Sequence, residues 1–227
     1  MPNTLTIFDL DDTLLNGDTM ALWHRFLVQQ KIVTNPDEFL TKDREFDALY
    51  RSGKMNIAEF LQFSLSPIAD YSAEQVDALV QKFIDEQVIE RLYPQAKQLV
   101  EDLVENHHHL LMISATVDFI VRPVAKLFGI TDVLAINVAR QQGVYTPQII
   151  GTPSFREGKV IRLQQWLTTQ SWQPDELRFY TDSINDLPLL EQVDEPYVVN
   201  PCEALREIAN RRNWPILEWQ TVTDSKQ

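Results

Sequence analysis

The sequence predicts an α/β fold, a doubly wound and mainly parallel sheet carrying an all-helical insertion. Two observations support this. A short apolar strand at residues 4–8 is followed by a long stretch with no clear strand, to about residue 91. From residue 94 onward, helical and extended patterns alternate, which implies right-handed crossovers between parallel strands.

The elements follow in order. Leu5 and Ile7, with Thr4, Thr6 and Phe8, read as a buried strand. Met20, Leu22, Trp23, Phe26 and Leu27 recur at helical spacing, with Asp18 or Thr19 available as N-cap. Asn35-Pro36-Asp37 punctuates, and Phe39, Phe46, Leu49 and Tyr50 suggest a second helix. Ser52-Gly53-Lys54 stops it, and 57–65 is a third apolar-periodic run ended by Ser66-Pro67. Ser72-Ala73-Glu74-Gln75 reads as a capping box opening a fourth helix through residue 84. The second part gives helices at 94–104, 117–128, 157–167, 187–192 and 203–211, and strands at 109–113, 133–138, 177–181 and 197–199. Gln141-Gln142-Gly143 is expected to turn Val138-Ala139-Arg140 back on Val144-Tyr145-Thr146 as a hairpin. The expected organisation is a core of residues 1–17 and 92–227, with 18–91 inserted.

Composition limits the partners. Of 227 residues, 33 are acidic and 20 basic, a net charge of −13 that disfavours nucleic acid and an anionic membrane surface. An anionic ligand then needs a local cation or a metal. The single cysteine, Cys202, excludes an internal disulfide and suits a reducing compartment. No basic segment followed by an apolar run opens the chain, and no apolar run could span a bilayer. The expectation is a cytoplasmic protein without stable membrane association, monomeric or homodimeric.

The chemistry gathers after strand ends. Asp9, Asp11 and Asp12 crowd the end of the first strand, where like charges resist ionising together. A divalent cation resolves that conflict, and oxygen-only ligands suit magnesium. Asp9 and Asp11 share a face if the chain stays extended there. Three further clusters are Ser114-Ala115-Thr116, Lys159 just inside a helix, and Asp182-Ser183-Ile184-Asn185-Asp186. Each has an ordinary alternative: Ser114 as a helix cap, Lys159 as an exposed lysine, Asp182 and Asp186 as caps. His107-His108-His109 reads as a turn, Cys202 as a small packed residue, and Trp214 and Trp219 as packing.

Taken in order, FDLDDTL, LLMISAT, EGK and TDSINDLP resemble the four motifs of the haloacid dehalogenase-like superfamily of phosphatases. The resemblance covers nearly the whole chain and implies a Rossmann-like core with a helical cap at 18–91, as in the phosphoserine phosphatase branch. It implies that Asp9 attacks phosphorus to form an aspartyl-phosphate, and that Asp11 acts as general acid and then base. It implies magnesium held by Asp9, the main-chain carbonyl of Asp11 and Asp182, with Asp186 orienting Lys159 or a metal-bound water. Ser114, with Ala115 and Thr116, would bind the phosphate, Lys159 would supply a positive charge, Asn185 is expected near the phosphate, and Thr13 would fix the loop.

The cap is expected to set specificity for a small phosphate ester. Asp18 stands where phosphoserine phosphatases hold the substrate amine, but Ser64 occupies the place of their carboxylate-gripping arginine, and Ala115-Thr116 replaces their Gly-Gly. The closer resemblance is to a bacterial sister group, through Gly17-Asp18-Thr19 with Trp23, the 157–167 segment and the 182–191 segment. Some of that group act on histidinol phosphate, which makes it the expected substrate. Asp18, Trp23, Phe46 and Tyr50 would suit an amine with an imidazole, although each aromatic residue also reads as cap core. The alternatives are phosphoserine or another small phosphorylated metabolite, and, from another class, a non-catalytic phospho-accepting signalling module. Asp11 and the insertion speak against that module, and Asp11 speaks against a dehalogenase. Acidity speaks against a lipid phosphatase.

Overall fold

The computed structural model describes residues 3–221. Six parallel strands form the central sheet: β1 (Thr4–Phe8), β2 (His109–Val117), β3 (Asp132–Ile136), β6 (Glu176–Thr181), β7 (Glu195–Val199) and β8 (Ile216–Leu217), in the order β3-β2-β1-β6-β7-β8. An antiparallel hairpin, β4 (Val138–Gln141) and β5 (Val144–Ile149), stands apart from it. The order reverses at β1, which lies between β2 and β6. Phe8 pairs with Met112 on one side and Tyr180 on the other. The segments leaving these three strands therefore emerge together, where ligands of open α/β sheets bind.

Both sheet faces are buried, as a parallel sheet requires. Leu5, Ile7, Leu111, Ile113, Phe179 and Val198 share one cluster with Leu163 of α7 (Glu157–Leu167), Leu189 of α8 (Leu187–Leu190) and Leu205 of α9 (Glu203–Arg212). Phe8, Met112 and Tyr180 face the other way, toward Val100 of α5 (Pro94–Glu105) and Val121 of α6 (Asp118–Leu127). That second cluster continues into the inserted helices α1 (Thr19–Gln29), α2 (Pro36–Arg51), α3 (Ile57–Leu65) and α4 (Ala73–Phe83). Trp23 of α1 meets Phe119 of α6 edge-on at 6.5 Å. The insertion thus shares a core with the sheet instead of enclosing its own. The hairpin adds a second tie: Tyr145 donates to Asp77 of α4 at 2.8 Å, and Ala73 N donates to Gly143 O at 2.7 Å.

Local signals explain the insertion. Asp18 caps α1, Pro36 opens α2, Asn56 caps α3, and Ser72 with Gln75 closes a reciprocal capping box at α4. Five details depart from the sequence expectation, the first being that Cys202 is exposed instead of packed. Beyond α4 the chain continues helically as a π-turn (Ile84–Val88) and a 3₁₀ turn (Ile89–Arg91). Leu49 faces solvent rather than the α2 core. β8 is added at the sheet edge through two pairs with β7. β2 runs four residues past Ile113, with a register shift between Ile113 and Val117. Among the described residues no helix is long and apolar enough to cross a membrane.

Candidate active site

Asp9 leaves the tip of β1, and its backbone N–H donates to Tyr180 O at 2.9 Å. The loop beyond it is tightly wound. Asp12 adopts a left-handed φ of 49°, which aspartate tolerates, and its Oδ1 accepts from Gly17 N at 2.8 Å. Thr13 Oγ1 donates to Asp182 Oδ1 at 3.2 Å, joining this loop to the end of β6.

Lys159 lies in the first turn of α7 and is buried at 1% exposure. Its Nζ donates to Asp9 Oδ1 at 2.9 Å and to Asp186 Oδ2 at 2.7 Å. Asp186 Oδ2 also accepts from Thr181 Oγ1 at 2.7 Å. An ammonium this deep persists only because two carboxylates partner it. These charges hold the Lys159 pKa above the usual lysine range against the opposing effect of burial. The preceding Gly158 is required sterically, since a Cβ there would lie 2.1 Å from Pro153 O.

The Ser114-Ala115-Thr116 segment lies within β2, at the register shift, and not in a helix-opening loop. Bulges of this kind re-aim side chains beside functional sites. Ser114 is fully buried and accepts from Thr116 N at 3.1 Å, and α6 begins after Val117 without a side-chain cap. The helix-cap alternative for Ser114 is therefore not what the structure shows. Thr116 Oγ1 donates to Asp11 Oδ2 at 2.8 Å, while Asp11 Oδ1 accepts from Thr19 N at 2.7 Å. The carboxylate of Asp11 is thus held at the junction between core and insertion. Ala115 and Thr116 line the cavity that contains Asp9, Asp11 and Asp182.

Too many carboxylates meet here for water-like ionisation. Burial raises the pKa of Asp9 to about 7, with Asp186 adding to the rise and Lys159 opposing it. Burial also lifts Asp11 and Asp182 well above the carboxylate range, helped by Asp18 and Asp9 at Asp11 and by Asp9 and Asp12 at Asp182. Crowded, oxygen-only donors of this kind suit a hard divalent cation. Among the described residues no three His, Cys, Asp or Glu side chains group as ligands. Two carboxylates and a main-chain carbonyl do not need such a trio.

From the insertion, Asp18, Asp43, Phe46, Asp47, Tyr50, Met55 and Phe60 line the same cavity. Asp18 spends one carboxylate oxygen on Ala21 N, at 2.9 Å. Trp23 is packed against Phe26 and Phe83 in the core and does not line the cavity. Tyr50 reaches the buried acids. Burial pushes its phenol pKa up, the charges of Asp186, Asp9 and Asp182 push it further, and it hydrogen-bonds Ser183. Asn185 Nδ2 donates to Tyr50 O at 2.9 Å, so this side chain meets the insertion directly. Arg156 Nη1 donates to Gly53 O, also at 2.9 Å. The sequence reading did not single out Asp43, Asp47 or Arg156. The signal available for the first two was an acidic residue on the helical face already marked by Phe39, Phe46 and Tyr50.

A histidinol-phosphatase of Neisseria meningitidis serogroup C (strain 8013) is 39% identical over 222 residues, 95% of this chain and 99% of that one. The crystal structure of a protein of unknown function from Bordetella pertussis Tohama I superposes with a TM-score of 0.88 at 33% identity, covering 96% of this chain and 99% of the other. A phosphoserine phosphatase captured as an analogue of its phospho-aspartyl intermediate shares the fold, with a TM-score of 0.69 at 16% identity over 99% and 97% of the two chains. These relationships place the chain among the phosphatases. It belongs to the haloacid dehalogenase-like hydrolase family, whose model matches residues 6–191.

Proposed function

We propose that the chain is a magnesium-dependent phosphomonoester hydrolase whose preferred substrate is L-histidinol phosphate. One observation carries the chemistry: a buried lysine tied to Asp9 at the sheet's reversal point, beside Asp11 and Asp182. A nucleophile held by a cation beside a second carboxyl group is the set that phosphoryl transfer needs.

Asp9 attacks phosphorus, the ester oxygen leaves, and an aspartyl-phosphate forms on Asp9. Asp11 gives a proton to the departing oxygen and later takes one from the water that cleaves the acyl-phosphate. The raised pKa of Asp11 suits the donor role, and its hydrogen bonds from Thr19 N and Thr116 fix its position. Lys159 neutralises Asp9 as the anionic phosphoryl group approaches, and Asp186 with Thr181 fixes that lysine. Ser114, with the neighbouring Ala115 and Thr116, would hold phosphate oxygens; Asn185 and Thr13 would keep the surrounding loops in place. Magnesium would be held by Asp9, the Asp11 carbonyl and Asp182, and would screen carboxylate from phosphate.

The substrate choice rests on the relative from Neisseria and on the cavity wall. A phosphoserine carboxylate would need a cation, yet Ser64 is fully buried in α3 with no hydrogen-bond partner among the described residues. The insertion instead lines the cavity with carboxylates and aromatic rings. The single cysteine, Cys202, suits action in a reducing compartment.

The test is a parallel turnover assay with L-histidinol phosphate, phosphoserine and common sugar phosphates. The highest kcat/KM is expected for histidinol phosphate. A clear preference for phosphoserine would replace the substrate, and no phosphate release from any ester would remove the activity.

A further inference from the structure

Three carboxylates face the cavity from the insertion, and they differ in how they are already engaged. Asp18 serves as the N-cap of α1. Asp47 is paired with Arg51 at 2.9 Å on the outer surface. Asp43 alone is held from behind by a fully buried side chain: its Oδ1 lies 2.6 Å from His24 Nδ1. The His24 ring sits edge-on to Phe39, Phe60 and Phe63, with centroids 5.1 to 6.1 Å away.

His24 Nε2 has no hydrogen-bond partner among the described residues. The ring is thus held against Asp43 through Nδ1, and this contact fixes the position of the Asp43 carboxylate. The Asp43 side chain is only partly exposed, at 14%. Carboxylates crowd here: burial raises the Asp18 pKa, Asp43 and Asp47 add to the rise, and the Ala21 amide and His24 oppose it. Phe46 and Phe60 line the cavity beside Asp43. Negative charge next to ring faces suits a flat organic cation.

We propose that Asp43 is the specificity-determining residue for a cationic leaving group, an ammonium or imidazolium, and that His24 is its positioning residue. This rests on the phosphatase reading above and names the part of the site that selects the alcohol. Asp43 would pair with the cation while Phe46 and Phe60 cover its apolar portion.

The magnesium-loaded full chain tests this with Asp43→Asn and His24→Leu, each first checked for an unchanged circular dichroism spectrum. Asp43→Asn is expected to raise KM for L-histidinol phosphate about 10-fold or more, with a smaller change in kcat. The ratio of kcat/KM for that ester over p-nitrophenyl phosphate, which carries no cation, should fall with it. His24→Leu should shift KM in the same direction by a smaller factor. An unchanged ratio in Asp43→Asn, or an equal loss on both esters, would overturn the assignment. Calorimetric titration of L-histidinol, the alcohol without phosphate, separates this from the activity itself. Weaker histidinol binding in Asp43→Asn upholds the inference even if neither ester is turned over. Equal binding by wild type and variant, or none by wild type, overturns it.

Discussion

Lys159 Nζ lies 2.9 Å from Asp9 Oδ1, and both side chains are almost wholly shielded from solvent. Removing one member of such a pair strands the other charge. Lys159→Met should therefore lower unfolding free energy by about 3 kcal/mol, read from urea denaturation. It should also abolish phosphate release. A variant as stable as wild type would mean that the lysine does not compensate Asp9 and Asp186.

The same carboxylate gives stability a pH dependence. With its pKa raised to about 7 from 3.8, folded Asp9 keeps a proton that the unfolded chain has released in between. Metal-free protein should therefore lose stability as pH rises from about 4 to 7. Lys159, whose pKa is raised, keeps its contribution throughout that window. Magnesium, favouring the ionised carboxylate, should raise Tm more at pH 8 than at pH 5. A magnesium increment independent of pH would contradict this.

Gly158 should tolerate no side chain. The Cβ of Gly158→Ala would sit 2.1 Å from a main-chain oxygen, and backbone cannot swing aside as a flexible side chain can. The substitution should cost roughly 1–3 kcal/mol and displace Lys159 along with its helix. Thermal unfolding together with kcat measures both. Wild-type values for the two would refute the packing argument.

Much of this was legible because its signals are local. A capping box, a proline at N1 and an apolar strand that ends in aspartates each declare themselves within a few residues, and Ser72, Pro36 and Asp9 are examples. Periodicity also marks which face of a helix is apolar, although it misread the exposed Leu49. What it cannot convey is which partner that face meets. Tyr50 and Asn185 are 135 positions apart, and His24 and Asp43 are paired through space between two helices. Trp23 has the composition of a ligand platform but fills the core between the insertion and the sheet. β8 consists of only two residues and takes its conformation from β7.

Two hydrogen bonds pin the end of α2 and the turn after it to the core, from Asn185 to Tyr50 O and from Arg156 to Gly53 O. Arg156→Ala removes the second without touching the buried acids. Amide hydrogen exchange at residues 50–55 should speed up several-fold, and KM should rise more than kcat falls. Unchanged exchange would show that Arg156 does not hold the insertion down.

The central claim is that Asp9 carries the phosphoryl group. Quenching the enzyme during turnover of p-nitrophenyl phosphate, reducing any acyl-phosphate with borohydride and mapping the peptides tests it most directly. The account predicts reduction at residue 9, and none in Asp9→Asn, which should also lose about 10³-fold or more in turnover. Reduction at another aspartate, or full turnover by Asp9→Asn, would contradict it.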